Sequence, residues 1–211
     1  DPQNIIDEYG ADSVRFFILS DNHTKRDVQW SDEGMLSSYK FIQKFWSLSE
    51  NILEISRIEN KENNEEIDIF TNQMINKVNH ALEKFRYNVI IAIFHEIYSF
   101  FRKISEKNKN YKNLKKNFEK ILIIMSPVIP HLAIECLTKF NFKEDFKWPK
   151  VDKKYLTEDK NLVVIQVNGK KRSSLTITEN LNEKELIDQI KNKQLISKYL
   201  DNGELVKTIY I

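Results

Sequence analysis

Few residues in this chain can turn the backbone sharply, because its 211 residues include only four glycines and four prolines. An all-β sandwich or barrel reverses direction after every strand, and glycine and proline supply many of those turns. The same scarcity excludes collagen and low-complexity coil. With 41% hydrophobic residues, the chain has enough apolar surface to bury a core. We therefore expect a mainly α protein built from long helices.

Two segments repeat the same helical spacing of apolar residues, which predicts two helices with matching apolar stripes. The stripes are Met74, Val78, Ala81, Leu82 and Phe85, and Leu114, Phe118, Ile121, Leu122 and Met125. Between them, residues 89–104 are apolar on nearly all sides, as a helix surrounded by neighbours requires. Ser31 is placed to cap a further long amphipathic helix, and residues 1–20 predict two short ones. Residues 1–138 are therefore expected to form a helical bundle.

The pattern changes after residue 138. Residues 139–160 mix aromatic and charged side chains, and we expect a strap and linker that lies across the bundle. Residues 161–211 then predict a small α+β domain of ββαβ order, with Asn168-Gly169 as the turn of its hairpin and residues 205–211 as its third strand. A domain of this size is marginally stable alone, so we expect it to be truncated at its C-terminus.

The Asn168-Gly169 turn also predicts the strand register. A strict two-residue turn pairs Gln166 with Lys171 and Ile165 with Arg172. Lys170, Lys171 and Arg172 then project from a rigid tip, where they could bind a sugar-phosphate backbone or 2′-hydroxyl groups.

The overall charge does not identify a nucleic-acid-binding protein, because 33 Lys and Arg residues against 31 Asp and Glu residues give only +2. Residues 102–120 are locally basic, with Arg102 and seven lysines against Glu106 and Glu119. Such a run can neutralise phosphates without reading sequence, although a solvated helix end is an alternative explanation. Arg15, Lys25 and Arg26 are further candidates, with structural salt bridges as their alternative role.

No complete active site is visible. The segment at 95–99, His-Glu-Ile-Tyr-Ser, has serine where a zinc-protease helix needs its second histidine. His131 and Glu135 lie one turn apart, but two ligands are too few for a metal site, so we expect a hydrogen-bonded structural pair. Residues 169–174 lack the first glycine of a phosphate-binding loop.

The remaining signals favour an intracellular setting. The one cysteine, Cys136, cannot form an internal disulfide, which fits a reducing cytosol. The longest apolar run, residues 121–130, is too short to span a membrane. The chain begins at Asp1 without an initiator methionine or a secretory leader, so we expect it to be an excerpt of a longer protein.

Several segments resemble class I aminoacyl-tRNA synthetases of the Leu/Ile/Val group. Asp1-Pro2 and residues 9–15 (YGADSVR) are similar to the stretch after the family's Lys-Met-Ser-Lys-Ser loop. Residues 126–135 (SPVIPHLAIE) resemble the last bundle helix, and Trp148-Pro149 resembles the strap after it. Residues 27–34 (DVQWSDEG) and 163–172 (VVIQVNGKKR) resemble the leucine branch in particular. The resemblance covers nearly the whole chain in order, and points to the C-terminal part of bacterial-type leucyl-tRNA synthetases.

The resemblance implies a class Ia anticodon-binding-type bundle that contacts the tRNA stem, and a small tethered domain that reaches the tRNA corner and its long variable arm. The tRNA-binding residues expected on this basis are Arg15, Lys25, Arg26, Lys170, Lys171 and Arg172. The residues expected to have structural roles are Trp30, Trp46, His131, Glu135 and Trp148. Trp30 in particular is expected to anchor the first helices on the bundle.

The resemblance also implies a division of labour. The parent enzymes join leucine to tRNA with ATP and Mg²⁺, and their catalytic and editing domains precede this region, so we expect this chain alone to be inactive and without a cofactor of its own. Its expected partners are leucine tRNA and those domains of the same polypeptide, in a cytoplasmic monomer. The alternatives are a non-catalytic helical interaction module and the equivalent region of an Ile or Val synthetase.

Overall fold

The structure, a computed structural model, describes residues 2–20, 29–59, 62–143, 145–156, 161–177, 186–187 and 190. The chain divides into two compact units, Asp1–Tyr155 and Leu156–Ile211. The division lies inside the predicted linker, residues 139–160. Within the described residues the first unit is helical and the second contains a β-hairpin, which confirms the mainly α class.

The first unit is a helical bundle. Its described helices are α1 (Pro2–Tyr9), α2 (Ala11–Ser20), α3 (Asp32–Ile55), α4 (Glu65–Glu83), α5 (Tyr87–Glu106), α6 (Leu114–Met125) and α7 (Pro130–Lys139). Ser31 caps α3, as predicted, by accepting the backbone N–H of Gly34 at 3.1 Å. Pro130 stands in the first turn of α7, where its missing N–H costs no hydrogen bond.

The bundle core is built around aromatic rings. Phe118 of α6 is fully buried, and the ring centroids of Phe45, Phe101 and Phe140 lie 5.1 to 5.9 Å from its own. The predicted stripe of α6 is buried at every position. The core face of α5 is also buried, which confirms the helix expected between the two stripes. The matching stripes therefore meet in one hydrophobic core.

Phe85, the last residue of the predicted α4 stripe, is not part of this core. It follows the end of α4 with a φ of 52° and is 65% exposed. A left-handed residue at this position ends a helix, and here the next N–H, of Arg86, returns to the carbonyl of Ala81 at 2.8 Å. The helix end thus turns the ring to solvent, which the apolar spacing could not predict.

The described residues 140–143 and 145–155 form a strap along the bundle, which ends in a short 3₁₀ helix, Lys153–Tyr155. Phe142 and Val151 pack against the core. The indole N–H of Trp148 donates to the Asn79 side-chain oxygen on α4 at 2.8 Å, and the backbone N–H of Asp152 donates to the buried Asn72 side chain at 2.8 Å. These contacts hold the strap against α4.

The second unit contains a hairpin of β1 (Asn161–Val167) and β2 (Lys170–Ile177). Its turn residues, Asn168 and Gly169, have φ of 53° and 73°, as a type I′ turn requires. Gln166 pairs with Lys171 as predicted.

The predicted register is wrong one position further along. Ile165 pairs with Ser173 rather than with Arg172, because a β-bulge inserts Arg172 into β2. Beyond the hairpin, Leu186, Ile187 and Ile190 are helical. The predicted third strand, residues 205–211, lies outside the described residues.

Candidate nucleic-acid interface

Arg15 of α2 binds the corner between α6 and α7. Its Nε–H donates to the carbonyl oxygen of Val128, and an Nη2–H donates to that of Pro127, each at 2.8 Å. Carbonyls just beyond a helix C-terminus carry partial negative charge, so the guanidinium stabilises this corner. Arg15 therefore has a structural contact in the bundle, and its predicted contact with tRNA stays a prediction.

Asp12, one turn before Arg15, holds the start of α7. Its carboxylate is 6% exposed and accepts the backbone N–H of Leu132 at 2.7 Å. The same carboxylate contacts Nδ1 of His131 at 2.8 Å. Ile129, at the N-cap of α7, makes no side-chain cap bond, so Asp12 supplies the negative charge that a helix N-terminus favours.

The partner of His131 therefore differs from the expected one. We predicted a pair with Glu135 on the same helix, whereas the structure places the His131 ring against Asp12 of α2. Helical side chains lean toward the helix N-terminus, which directs His131 away from the next turn and toward α2.

Trp30 and Trp46 each contact a neighbouring element of the bundle. Trp30 is 51% exposed, but its ring packs edge-on against Phe17 of α2 with centroids 5.2 Å apart. Trp46 of α3 lies under Lys139 of α7, whose Nζ is 4.1 Å from the ring centroid. Lys139 also pairs with Glu50 at 2.8 Å, so it ties α7 to α3.

A groove of about 470 Å³ between α3 and α5 collects basic side chains. Lys40 and Lys44 lie one turn apart on α3, and Tyr98 and Arg102 lie one turn apart on α5. Within the described residues, no carboxylate forms an ion pair with Lys40 or Lys44. Arg102 pairs with Glu106 at 3.4 Å, and both side chains are more than half exposed.

This arrangement puts two unneutralised positive charges on the α3 wall of the α3–α5 groove, while Arg102 on the α5 wall is paired with Glu106. Cations spaced along a helix can neutralise the phosphates of an RNA backbone without reading its bases. The sequence reasoning missed Lys40 and Lys44. The signal was present, because each lysine directly precedes a buried phenylalanine of the α3 stripe, Phe41 or Phe45, and so lies at the edge of the exposed face.

His95 of α5 packs its ring against aromatic side chains of α2 and α3. Its ring centroid is 4.6 Å from that of Phe41 and 5.9 Å from that of Phe16. Burial lowers the pKa of His95 below its usual value of 6.5, and the charge of Lys44 lowers it further. The imidazole is therefore mainly neutral at pH 7.

The basic run at residues 102–120 does not form one surface. Lys109 pairs with Glu62 at 2.6 Å, and Lys115 pairs with Glu119 at 3.7 Å. The hydrogen bond with Glu62 raises the pKa of Lys109, which keeps it charged. The run instead contributes Arg102 to the α3–α5 groove and several lysines to α6.

The hairpin presents two of its cations together. In the bulge, Lys171 and Arg172 both oppose Gln166, and all three residues are exposed. Ile165 and Leu175 are buried on the other side. Strict pairing would have sent Lys171 and Arg172 to opposite faces, so the bulge brings both to the polar face.

The other predicted tRNA-binding residues are not described by the structure. Lys25 and Arg26 lie outside the described residues, as does the side chain of Lys170. The contacts of Lys170, Lys171 and Arg172 with tRNA stay predictions.

The described part of the chain lacks the side-chain cluster of a metal site and the helix of a membrane span. There, no three His, Cys, Asp or Glu side chains come close enough to hold a metal ion. None of the helices in that part is long and apolar enough to cross a membrane.

Comparison with known proteins identifies the family. Residues 64–187 match the anticodon-binding domain of tRNA ligases. Over its whole length the chain is 33% identical to a leucine–tRNA ligase of Fervidobacterium nodosum and 29% identical to that of Petrotoga mobilis. In both cases it spans 27% of the relative, so it covers about a quarter of the length of the curated relatives it matches.

A solved structure shares the fold. The chain superimposes over its whole length on 28% of the LeuRS chain in the agnB2 LeuRS–tRNA–LeuAMS ternary complex of Agrobacterium radiobacter K84, with a TM-score of 0.70 and 21% sequence identity. The family match covers more than half of the chain and the structural match covers all of it. The chain therefore belongs to the family of anticodon-binding domains of tRNA ligases.

Proposed function

We propose that this chain is the tRNA-binding part of a leucine–tRNA ligase, and that the α3–α5 groove holds the backbone of the tRNA. Its relatives over the whole chain are leucine–tRNA ligases, and the solved structure of the same fold is a complex of LeuRS with tRNA. In the proposed enzyme, ATP and Mg²⁺ serve the ligation in other domains of the same polypeptide. The chain alone is inactive, and the whole enzyme is a cytoplasmic monomer.

The observation that carries this proposal is the pair of unneutralised lysines, Lys40 and Lys44, opposite Arg102 across the groove. Unpaired cations one turn apart on a rigid helix provide an electrostatic contact that does not depend on base sequence. Binding energy collected at such a remote surface can position the reacting end of a large substrate.

The hairpin supplies a second contact in this proposal. Lys171 and Arg172 share one exposed face at the bulge, and Lys170 precedes them at the turn. Together with Lys25, Arg26 and Arg15, they complete the set of residues that we propose for tRNA binding.

The test compares two double variants for binding of leucine tRNA. Lys40→Ala with Lys44→Ala removes the two groove charges, and we expect affinity to fall on the order of tenfold. Lys84→Ala with Lys153→Ala is the matched control, because it removes two exposed charges outside the groove. Equal affinity of the two double variants would exclude the α3–α5 groove from the interface. A helical interaction module without an RNA ligand would bind tRNA weakly in every form of the chain.

A further inference from the structure

We propose that a second groove, between α6 and the strap, binds a short unpaired stretch of RNA. The groove has a volume of about 410 Å³, which is within the range of ligand-binding clefts. Ile123, Phe142 and Pro149 contribute its apolar lining. Lysines from α6 and from the strap line the same groove.

The charges around this groove do not cancel. Asp145 pairs with Lys147 at 2.8 Å, and Glu119 lies 3.7 Å from Lys115. The other lining lysines are Lys116, Lys120 and Lys150, and no carboxylate in the described part of the chain forms an ion pair with them. Three unneutralised ammonium groups beside an apolar surface favour a ligand that carries several negative charges and also apolar surface.

Trp148 supplies an aromatic surface among these lysines. Its side chain is partly open, with the residue 39% exposed, and its N–H is held by Asn79 on α4 at 2.8 Å. The hydrogen bond restricts the orientation of the indole before any ligand arrives. Bases stack on such preorganised rings, and the stacking does not require a particular base.

The lysines together with the oriented indole of Trp148 favour one class of ligand over the others. Unpaired RNA offers both phosphates for the lysines and an open base face for Trp148, whereas paired RNA offers mainly its phosphates. An acidic peptide would satisfy the lysines but has no base to stack on the indole. We therefore assign unpaired RNA rather than a protein partner.

This inference rests on the proposed function only in that the ligand is RNA. The α6–strap groove and the α3–α5 groove share no lining residue. Variants of one groove therefore leave the lining of the other unchanged, and either proposal can fail without the other.

The test uses a labelled, unstructured hexaribonucleotide, with binding to the full chain followed by fluorescence anisotropy. We expect Lys116→Ala with Lys150→Ala to lower the steepness of log affinity against log salt by about 1.4, because each phosphate contact of a single strand contributes about 0.7. Lys84→Ala with Lys153→Ala is the control, because it removes two exposed charges outside both grooves, and it should leave hexamer binding unchanged.

A pair of tryptophan variants separates stacking from scaffolding. Trp148→Phe and Trp148→Leu both lose the hydrogen bond to Asn79, but only the phenylalanine keeps an aromatic ring. We expect Trp148→Leu to weaken hexamer binding by about fivefold or more relative to Trp148→Phe. Thermal unfolding shows whether both variants remain folded, and if either unfolds, the lysine double variant decides the question.

Two results would overturn the proposal. The first is a wild-type salt slope in the Lys116→Ala, Lys150→Ala variant. The second is equal affinity for the hexamer and for hexaglutamate, with both ligands indifferent to Trp148→Leu, which would assign the groove to an acidic protein partner.

Discussion

The carboxylate of Asp12 accepts the backbone N–H of Leu132 at 2.7 Å, across 120 positions of the chain. Three residues after Asp12, Arg15 donates to the carbonyls of Pro127 and Val128. One turn of α2 thus contacts two neighbouring helix ends: Arg15 contacts the carbonyls that follow α6, and Asp12 contacts the N-terminus of α7. A positive charge near a helix C-terminus and a negative charge near a helix N-terminus are both favourable.

Replacement of Asp12 by alanine tests the cap. Asp12→Ala leaves the first N–H groups of α7 without their acceptor in a buried position, so we expect the free energy of unfolding to fall by about 2 kcal/mol. Asp12→Asn keeps an acceptor and should lose less. Urea unfolding measures both variants, and an Asp12→Ala variant as stable as the wild type would contradict the capping role.

Arg15 permits its two roles to be measured separately. Arg15→Lys keeps the positive charge but cannot reproduce the two-point contact with Pro127 and Val128, so we expect stability to fall by about 1 kcal/mol while the salt dependence of tRNA binding is kept. Unchanged stability would show that the contact contributes little. Arg15→Gln removes the charge as well, and a phosphate contact predicts that the salt slope falls by about one. If that slope does not change, Arg15 has no part in the interface.

Gly34 allows α3 to approach α2 closely. A Cβ atom at this position would lie 2.8 Å from Cε2 of Phe17, a buried ring that also contacts Trp30. The strain of overpacking should exceed the gain in helix propensity, so we expect Gly34→Ala to destabilise the chain by about 1 kcal/mol. Ser37→Ala, at an exposed position of the same helix, is the control and should be neutral or slightly stabilising. A stabilising Gly34→Ala would refute the close approach.

His95 makes stability depend on pH. Its pKa is lowered in the folded chain, mainly by burial, so the unfolded chain binds the proton first as pH falls through 6.5. This contribution to stability is present above pH 6.5 and is lost progressively as pH falls toward the lowered pKa. When the pH is lowered from about 7.5 to about 5.5, we expect the His95→Gln variant to lose less stability than the wild type. Thermal unfolding at both pH values measures this difference. Parallel profiles for the two proteins would argue against a lowered pKa.

The spacing of apolar residues predicted the helices well, because buried positions recur along a helix with the helical period. The α6 stripe from Leu114 to Met125 is buried throughout, and Ser31 caps α3 as its position indicated. The pattern failed at Phe85, because a left-handed residue after α4 depends on how the helix ends rather than on hydrophobic spacing.

The candidate sites depend more on contacts between distant residues. The bond between Asp12 and Leu132 joins segments at opposite ends of the bundle sequence, so no spacing rule gives it. The bulge at Arg172 was missed because the turn sequence alone predicts strict pairing. Lys40 and Lys44 became a candidate site only when α5 placed Tyr98 and Arg102 opposite them.

In the proposed interface, the α3–α5 groove holds an RNA backbone through Lys40 and Lys44. The affinity of the chain for leucine tRNA as a function of salt, with and without the double substitution Lys40→Ala, Lys44→Ala, tests this contact. We expect a steep wild-type slope that decreases by about two in the double variant, about one for each lost phosphate contact. The same slope in both proteins would rule out this interface.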